Sequence, residues 1–361
     1  MFAPDKAFSK RPPITSAGRA MRRKGWTYVR AGVDISRKSK AIESLVEQLK
    51  YRRKGKGKML EIMGQFTGMI DFGEMALTLC TDGVGTKLLV AEALDKWDTV
   101  GIDCIAMNVN DTICVGAEPI ALVDYIAIDR PDDRVTEQIG IGLEKGAELS
   151  NIDIVGGEIA IMPELVRGVD LSASCLGYVK KDRIIDGSNI EVGDAIIGLE
   201  SSGIHSNGLT LARKLLMHND IGYDDKFNGL KQTIGEELLT PTEIYVKKII
   251  RLLKTCTVKG MVDVTGGGLR NFVRLKKGVM FEIDDPIRPR PIFKLLAEVG
   301  NVEPREMYQT FNMGMGFAVI CPARSANKTL KTLGEGAKLV GKVTKGDGVG
   351  IPDMDLHYGS Y

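Results

Sequence analysis

The sequence predicts a mixed α/β chain, with α+β character, organised as two domains. Three observations carry this reading. Short apolar runs alternate with stretches of helical period along most of the 361 residues, the pattern of sheets layered with helices. A polar, turn-rich segment at 182–193 (DRIIDGSNIEVG) interrupts the chain, and a fresh cycle of strand and helix follows it. No segment repeats with a period of 20–50 residues, which excludes a solenoid or propeller.

The elements follow in order. Residues 35–50 set Ile42, Leu45, Val46 and Leu49 at helical spacing, an amphipathic helix. Residues 51–58 (YRRKGKGK) form a basic, Gly-interrupted loop, either a solvated turn or a lip that attracts phosphate. Ala76 to Thr81 is a buried strand that ends in an acidic, Gly-rich turn. Residues 98–115 are apolar or small, a buried helix closed by Gly116 and Pro119. Ile120 to Ile128 is a strand, and 133–150 is a helix capped by Asp132 or Asp133. Ile152 to Val155 is a strand running into Gly156-Gly157-Glu158, and 169–179 is another. The second cycle has strands at 195–199, 259–264, 279–283, 313–321 and 337–344. Its helices start at Asn207 and Gly268 and span 242–254, 291–299 and 325–333. The expected domains are 31–185 and 186–361, preceded by a basic extension, 1–30, expected to be disordered.

Composition narrows the function classes. Hydrophobic residues are 43% and charged residues 27%, so the chain can bury a large core without disulfides or a structural metal. Glycine is abundant, 42 residues against 13 prolines, which points to many close backbone approaches. Aromatics are only 6%, with two Trp, too few for a base-stacking platform. Residues 1–30 hold eight of the 49 basic groups and one of the 47 acidic ones, net +7, leaving −5 for the rest. The body is therefore not a nucleic-acid binder by charge. The extension resembles a transit peptide weakly, and Met21 is an alternative start. The six cysteines (80, 104, 114, 175, 256 and 321) are nowhere closer than ten residues, so no CxxC pair exists. Several sit in apolar runs and read as buried thiols of a protein in a reducing cytoplasm. Three histidines exclude a His-rich zinc site, and no 18-residue apolar stretch or signal sequence is present.

Four constellations carry chemistry. In Thr81-Asp82-Gly83-Val84-Gly85-Thr86-Lys87, Asp82 is a hard oxygen ligand suited to Mg²⁺. Gly83 and Gly85 let the backbone approach a phosphate, Thr86 adds a hydroxyl and Lys87 a cation. The stretch does not match a Walker A loop, and the same residues also suit an ordinary turn. In the buried helix, Asn108 and Asp111 share a face, with Asp103 earlier on it. A carboxylate there is either a cap or salt bridge, or a metal ligand, because an unpaired one is costly. In Asp263-Val264-Thr265-Gly266-Gly267-Gly268, a strand delivers an acid and three glycines open a helix, suited to an anion or to a hinge. In Ser201-Ser202-Gly203-Ile204-His205-Ser206-Asn207-Gly208, His205 is a general acid or base, or a bystander. Gly156-Gly157-Glu158 offers another backbone approach with a carboxylate, and Asn312 can hydrogen-bond a polar ligand. Together these suggest an ATP-Mg²⁺ enzyme acting on a phosphorylated substrate.

The stretches AGVDI (31–35), TDGVGTKL (81–88), GIDCIAMNVNDTICVGAEP (101–119), VGGE (155–158), SSGIHSNG (201–208), LTPTEIYVK (239–247), TGGG (265–268) and GNVEPREMYQTFNMGMG (300–316) resemble the phosphoribosylformylglycinamidine cyclo-ligase family, also called aminoimidazole ribonucleotide synthetases. The resemblance runs from about 31 to 345. It implies a two-domain ATP-binding synthetase fold whose N-terminal domains pair into a barrel-like homodimer. It implies ATP and Mg²⁺, with Asp82, Asp111 and Asp263 as metal ligands. The implied nucleotide set is Asp82, Gly83, Gly85, Thr86, Lys87, Asp111, Gly156, Gly157, Glu158, Asp263, Thr265, Gly266, Gly267, Gly268 and Asn312. The implied reaction closes the imidazole ring of formylglycinamidine ribonucleotide through a phosphorylated amide oxygen, with Lys87 and Asp111 at the phosphoryl group. We assign His205 the proton transfer. The chain departs from the family's GGETAEMPG at Ile159 and Ile161, and its early Gly-rich loop, 63–68, is thinned. Selenophosphate synthetase and the hydrogenase-maturation relative are disfavoured, since no Cys precedes Cys80 and the chain does not end in Cys. A non-catalytic or substrate-altered paralogue is the alternative.

Overall fold

A computed structural model describes residues 25–61 and 66–360 of the chain. Residues 1–24 of the basic extension and Met63, Gly64 and Gln65 of the early loop lie outside the described residues. The alternation resolves into two sheets. The first has six strands: β1 (Met59–Leu60), β2 (Gly68–Phe72), β3 (Met75–Gly83), β4 (Glu118–Ile128), β5 (Asp153–Ile161) and β6 (Val169–Lys180). Their order is β1-β2-β3-β6-β4-β5, antiparallel except for the β4–β5 pair. Helices α1 (Ile35–Val46), α2 (Leu88–Leu94), α3 (Val100–Ile113) and α4 (Asp133–Ser150) belong to this half.

The second sheet contains β7 (Ala195–Glu200), β8 (Gly260–Asp263), β9 (Met280–Ile283), β10 (Met315–Cys321), β11 (Ala337–Thr344), β12 (Gly348–Ile351) and β13 (Leu356–Tyr358). Their order is β13-β12-β9-β11-β7-β10-β8. Helices α5 (Leu209–His218), α6 (Ile234–Leu238), α7 (Val246–Leu253), α8 (Pro291–Gly300), α9 (Pro304–Thr310) and α10 (Ala326–Leu333) surround it.

Local chemistry accounts for the ends. Asp132 caps α4 by accepting from Val135 N, and Asn151 closes the helix in the left-handed region that Asn tolerates. Pro291 opens α8 and Asn301 ends it in the same way. Strand β7 and strand β10 are apolar and buried almost throughout, as central strands require.

Several elements differ from the sequence reading. The segment after Gly268 is a seven-residue 3₁₀ turn, Gly268–Arg274, rather than an α-helix. Gly268 has φ +53°, and a Cβ there would lie 2.0 Å from Tyr308 O, so packing as well as backbone conformation demands glycine. The helix expected from 242 begins only at Val246, because residues 240–245 are held by side chains of α2's approach and α3. Gly156-Gly157-Glu158 lies inside strand β5 rather than in a turn after it. Residues 25–30, expected as disordered extension, pack on the second half: Trp26 N donates to Gly300 O, and Tyr28 N to Glu306 Oε1. Strands β1, β2, β12 and β13 and helices α2, α6 and α9 were not foreseen.

Helix α3 ties the two halves together. It is buried on nearly all sides, packs on β3, β6 and α4, and sends polar side chains toward the second half. Asn110 donates from Nδ2 to Glu243 O and accepts from Tyr245 N.

Candidate active site

The helix-facing side of the first sheet carries a row of residues in register. Asp82 on β3 faces Ala173 on β6, which faces Asp124 on β4, which faces Gly157 on β5. Side chains in register on neighbouring strands share a face, so two carboxylates flank small residues on one shelf. A Cβ at Gly157 would come 2.4 Å from Asp124 Oδ1, so the glycine makes room for that carboxylate. Sequence reasoning missed Asp124. Its signal was a single acid inside the apolar run Ala121–Ile128.

Asn108 on α3 fixes the end of β3. Its Oδ1 accepts from Asp82 N at 3.0 Å, and its Nδ2 donates to Asp82 O at 3.2 Å. Asp82 Oδ1 accepts from Gly83 N at 2.7 Å. Asp111 lies one turn further along α3, and its Oδ1 is buried without a hydrogen-bond partner among the described residues. Asp263, at the end of β8, is almost wholly buried. Asp82 acts on both of the other acids, and Asp111 acts on Asp263. Burial pushes the Asp111 and Asp263 carboxyls well above the usual range; Cys80 and then Asp82 push Asp111 further, and Asp111 and Asp82 push Asp263. The Asp82 carboxyl is also raised by the surrounding protein, although the residue opens on solvent. The cations that oppose this are Arg274 toward Asp111 and Lys38 on α1 toward Asp82. Neither was singled out in the sequence.

A bare cluster of like charges favours protonation or a bound cation. Among the described residues, no three His, Cys, Asp or Glu side chains converge tightly enough to cage a metal. The donors instead suit a hard cation that takes one or two carboxylates and completes its shell with phosphate oxygens and water.

The remaining predicted site residues divide into two groups. Gly83, Gly85 and Thr86 lie beside Asp82; Thr86 Oγ1 is 3.0 Å from Thr210 Oγ1 at the start of α5. Thr265, Gly266, Gly267 and Gly268 follow Asp263 directly, and the Asn207 side chain crowds Gly266. Glu158 is exposed beside Tyr125 on the other face of the sheet from Gly157.

Lys87, His205 and Asn312 are instead committed to internal bonds. Lys87 is completely buried, with Nζ 2.9 and 2.8 Å from the Asp103 oxygens and 2.6 Å from Thr240 O. Asp103 Oδ1 also accepts from Thr242 N, Thr242 Oγ1 and Ser206 Oγ. The ammonium expected at a phosphoryl group is thus a tie joining α3 to the 201–208 and 240–242 loops. Asn312 accepts from Ser201 Oγ and Gly314 N and donates to Gly203 O and Ile204 O, which leaves no free polar atom for a ligand.

His205 is buried at φ +62°, and its Nε2 accepts from Ser202 N (3.3 Å) and Glu243 N (3.5 Å). Burial, with Lys87 and Arg290 nearby, pushes its pKa down to about 3. A ring held neutral with Nε2 already accepting has no proton to exchange there near neutrality, so this geometry disfavours the proton-transfer role. The depressed value means its contribution to stability is full above the ordinary histidine pKa and is lost as pH falls toward about 3. The wild type is therefore expected to lose more resistance to urea than His205→Gln on going from about pH 7 to about pH 4.5. Parallel losses in the two proteins would remove His205 from this account.

A cavity of about 600 Å³ lies behind this wall, lined among others by Lys96, Ser202, Lys231, Glu237, Thr240 and Arg290. Neither Asp82, Asp111 nor Asp263 lines it, so it is a neighbour of the shelf and not its centre.

Two family models divide the chain between them. The N-terminal domain of AIR synthase related proteins matches residues 64–179, and the C-terminal domain matches 191–353. The fold is also that of a solved structure described as AaThiL complexed with AMPPCP and TMP, with TM-score 0.63, 18% identity, and 88% of this chain and 93% of that one covered. The class is thus an AIR synthase-type two-domain protein. A phosphoribosylformylglycinamidine cyclo-ligase of Methanosarcina barkeri is 48% identical over 336 residues, covering 92% of this chain and 99% of its own length. One of Methanocaldococcus jannaschii is 49% identical over 323 residues, covering 88% and 92%. The chain belongs to the phosphoribosylformylglycinamidine cyclo-ligase family, and it is an enzyme of the ligase class.

Proposed function

We propose that this chain uses ATP to close the imidazole ring of formylglycinamidine ribonucleotide, giving aminoimidazole ribonucleotide, ADP and phosphate in de novo purine biosynthesis. The observation that carries the reading is the set Asp82, Asp111 and Asp263. They are three acids from three elements whose carboxyls burial raises, with Asp82 pushing up both others and Asp111 pushing up Asp263, and among the described residues a buried Asp111 oxygen has no hydrogen-bond partner.

The physical problem is a poor leaving group. An amide oxygen leaves badly, whereas its phosphate ester leaves well, so ATP first phosphorylates the formyl amide oxygen. A nitrogen of the amidine then attacks the activated carbon and phosphate departs. A Mg²⁺ bound with the nucleotide supplies charge neutralisation for the phosphate oxygens. Asp82, Asp111 and Asp263 would hold it. Asp124 would extend the acidic shelf, and Lys38 and Arg274 would face the phosphates. Gly83, Gly85, Thr86 and Thr265 to Gly268 would let the nucleotide approach the backbone. Lys87, His205 and Asn312 act as positioning residues that hold the loops around that site.

The test is turnover. Purified protein, ATP, Mg²⁺ and formylglycinamidine ribonucleotide are mixed, and aminoimidazole ribonucleotide is followed by diazo-coupling colour together with ADP. Substrate-dependent product matched by ADP is expected. ATP bound without product would overturn the reading.

We also propose that the working form is a homodimer in the cytoplasm. The face of the first sheet opposite the helices carries Phe72, Leu79, Val123 and Tyr125, each between 39% and 52% exposed. A sheet face left to water is ordinarily polar, so these side chains call for a cover, and a second copy of the same face supplies one. Leu79→Asp is expected to turn a dimer into a monomer in light scattering with the fold retained. A wild-type monomer at working concentrations would sink this. For the compartment, six free thiols support a reducing setting, and among the described residues no helix is long and apolar enough to cross a membrane.

A further inference from the structure

One row down the strands from the acidic shelf, on the same face, Cys80 on β3 stands directly opposite Cys175 on β6. Directly opposed residues in an antiparallel pair have Cα atoms about 4.5–5.5 Å apart, inside the range that a disulfide spans. The two thiols are close enough for each to shift the other's ionisation. Both are reduced. Cys80 is half-buried and Cys175 is buried. No step proposed above uses either.

The Cys80 thiol is also part of the joint between β3 and α3. It donates to Asn108 O at 3.2 Å and lies 3.3 Å from Thr112 Oγ1. Asn108 is the residue whose amide fixes both backbone groups of Asp82. A bond to Cys175 would draw the Cys80 sulfur to about 2.05 Å from its partner and away from α3. The joint that sets Asp82 and Asp111 relative to one another would then change.

We propose that Cys80 and Cys175 form a reversible cross-strand disulfide, a thiol modification site one row from the carboxylates, whose formation lowers turnover. The co-reactant is a small-molecule disulfide. One of the two thiols gives up its proton, and its sulfur displaces one half of the reagent as a thiol, leaving a mixed disulfide. The other thiol then gives up its proton and displaces the second half. Two protein thiols are oxidised, one small disulfide is reduced, and two small thiols leave with the two protons.

The proposal rests on the ligase reading only for its activity readout; the cross-link itself is read by mass. The full chain is incubated with oxidised glutathione, digested without reduction and mapped. A linked Cys80–Cys175 peptide, an intact mass lower by two hydrogens, and a turnover loss of about tenfold that dithiothreitol reverses are expected. Cys175→Ala should show neither the link nor the loss, and Cys175→Val serves if the smaller side chain loosens the core. Cys256→Ala, on the far half, should remain as sensitive as wild type. Absence of the linked peptide, a link without loss of turnover, or an equal loss in Cys175→Ala would each overturn the proposal. An enzyme that forms the link but never shows cyclo-ligase turnover refutes the functional reading and not the disulfide.

Discussion

Asp111→Asn is expected to lower turnover about 10²–10³-fold, the scale of losing one preorganised charge at a phosphoryl-transfer site. It is also expected to leave the protein as stable as wild type or more so. The reason is the sign of the shift. Burial, then Cys80 and Asp82, raise the Asp111 carboxyl well above its ordinary value. Such a group favours the fold fully below the unfolded carboxyl pKa, and that contribution is lost as pH rises through the folded value. Near neutrality the ionised form is thus a cost, and an amide of the same shape removes it. Asp263 shares the shift, so nucleotide binding with Mg²⁺ should tighten as pH rises and the acids give up their protons. Urea midpoints and nucleotide titrations at two pH values measure both effects. A variant with normal turnover would take Asp111 out of the site, and a strongly destabilised one would make it a structural residue.

Lys87→Met is expected to fail in the opposite way, through stability. Lys87 and Asp103 are both fully buried, and the ammonium meets both carboxylate oxygens and Thr240 O. Removing one partner of such a pair leaves the other charged and dry, which costs about 3–5 kcal/mol. The urea midpoint should fall sharply, and the loops at 201–208 and 240–242 should become protease-sensitive before the rest of the chain. The double replacement Lys87→Met with Asp103→Leu should recover part of the loss, because the stranded charge is then gone. A single Lys87→Met variant with wild-type stability and no turnover would return the lysine to the phosphoryl group.

The contrast between these two residues shows what sequence reading can reach. Both were singled out for the same reason, a charge among glycines or on an apolar helix. Among the described residues Asp111 keeps a buried oxygen with no hydrogen-bond partner, and burial with like charges raises both Asp111 and Asp263, as suits a ligand-binding acid. Lys87 finds its partner 16 residues away in Asp103, which the same reading had noted as a second acid of that helix. Whether two charges cancel is a matter of distance, and distance between elements is not written in the spacing of either one. Asp124 shows the converse. Its place beside Asp82 depends on β6 lying between β3 and β4, an order the chain does not follow in sequence.

By itself the sequence determined the alternation of strands and helices, because burial of one face imposes periods that can be counted along a single element. It narrowed the N-cap of α4 to Asp132 or Asp133, since a cap acts within one turn. It also determined the family, through motifs that keep their order over most of the chain. Only the tertiary structure decided that β1 and β2 extend the first sheet, that residues 240–245 stay out of a helix because α3 holds them, and that the glycines after Val155 are strand and not turn. It alone decided which charged groups remain unpaired and which two thiols stand opposite each other. Pairing across a sheet and packing between halves join residues tens to hundreds of positions apart, and local propensity carries no information about which partner each will meet.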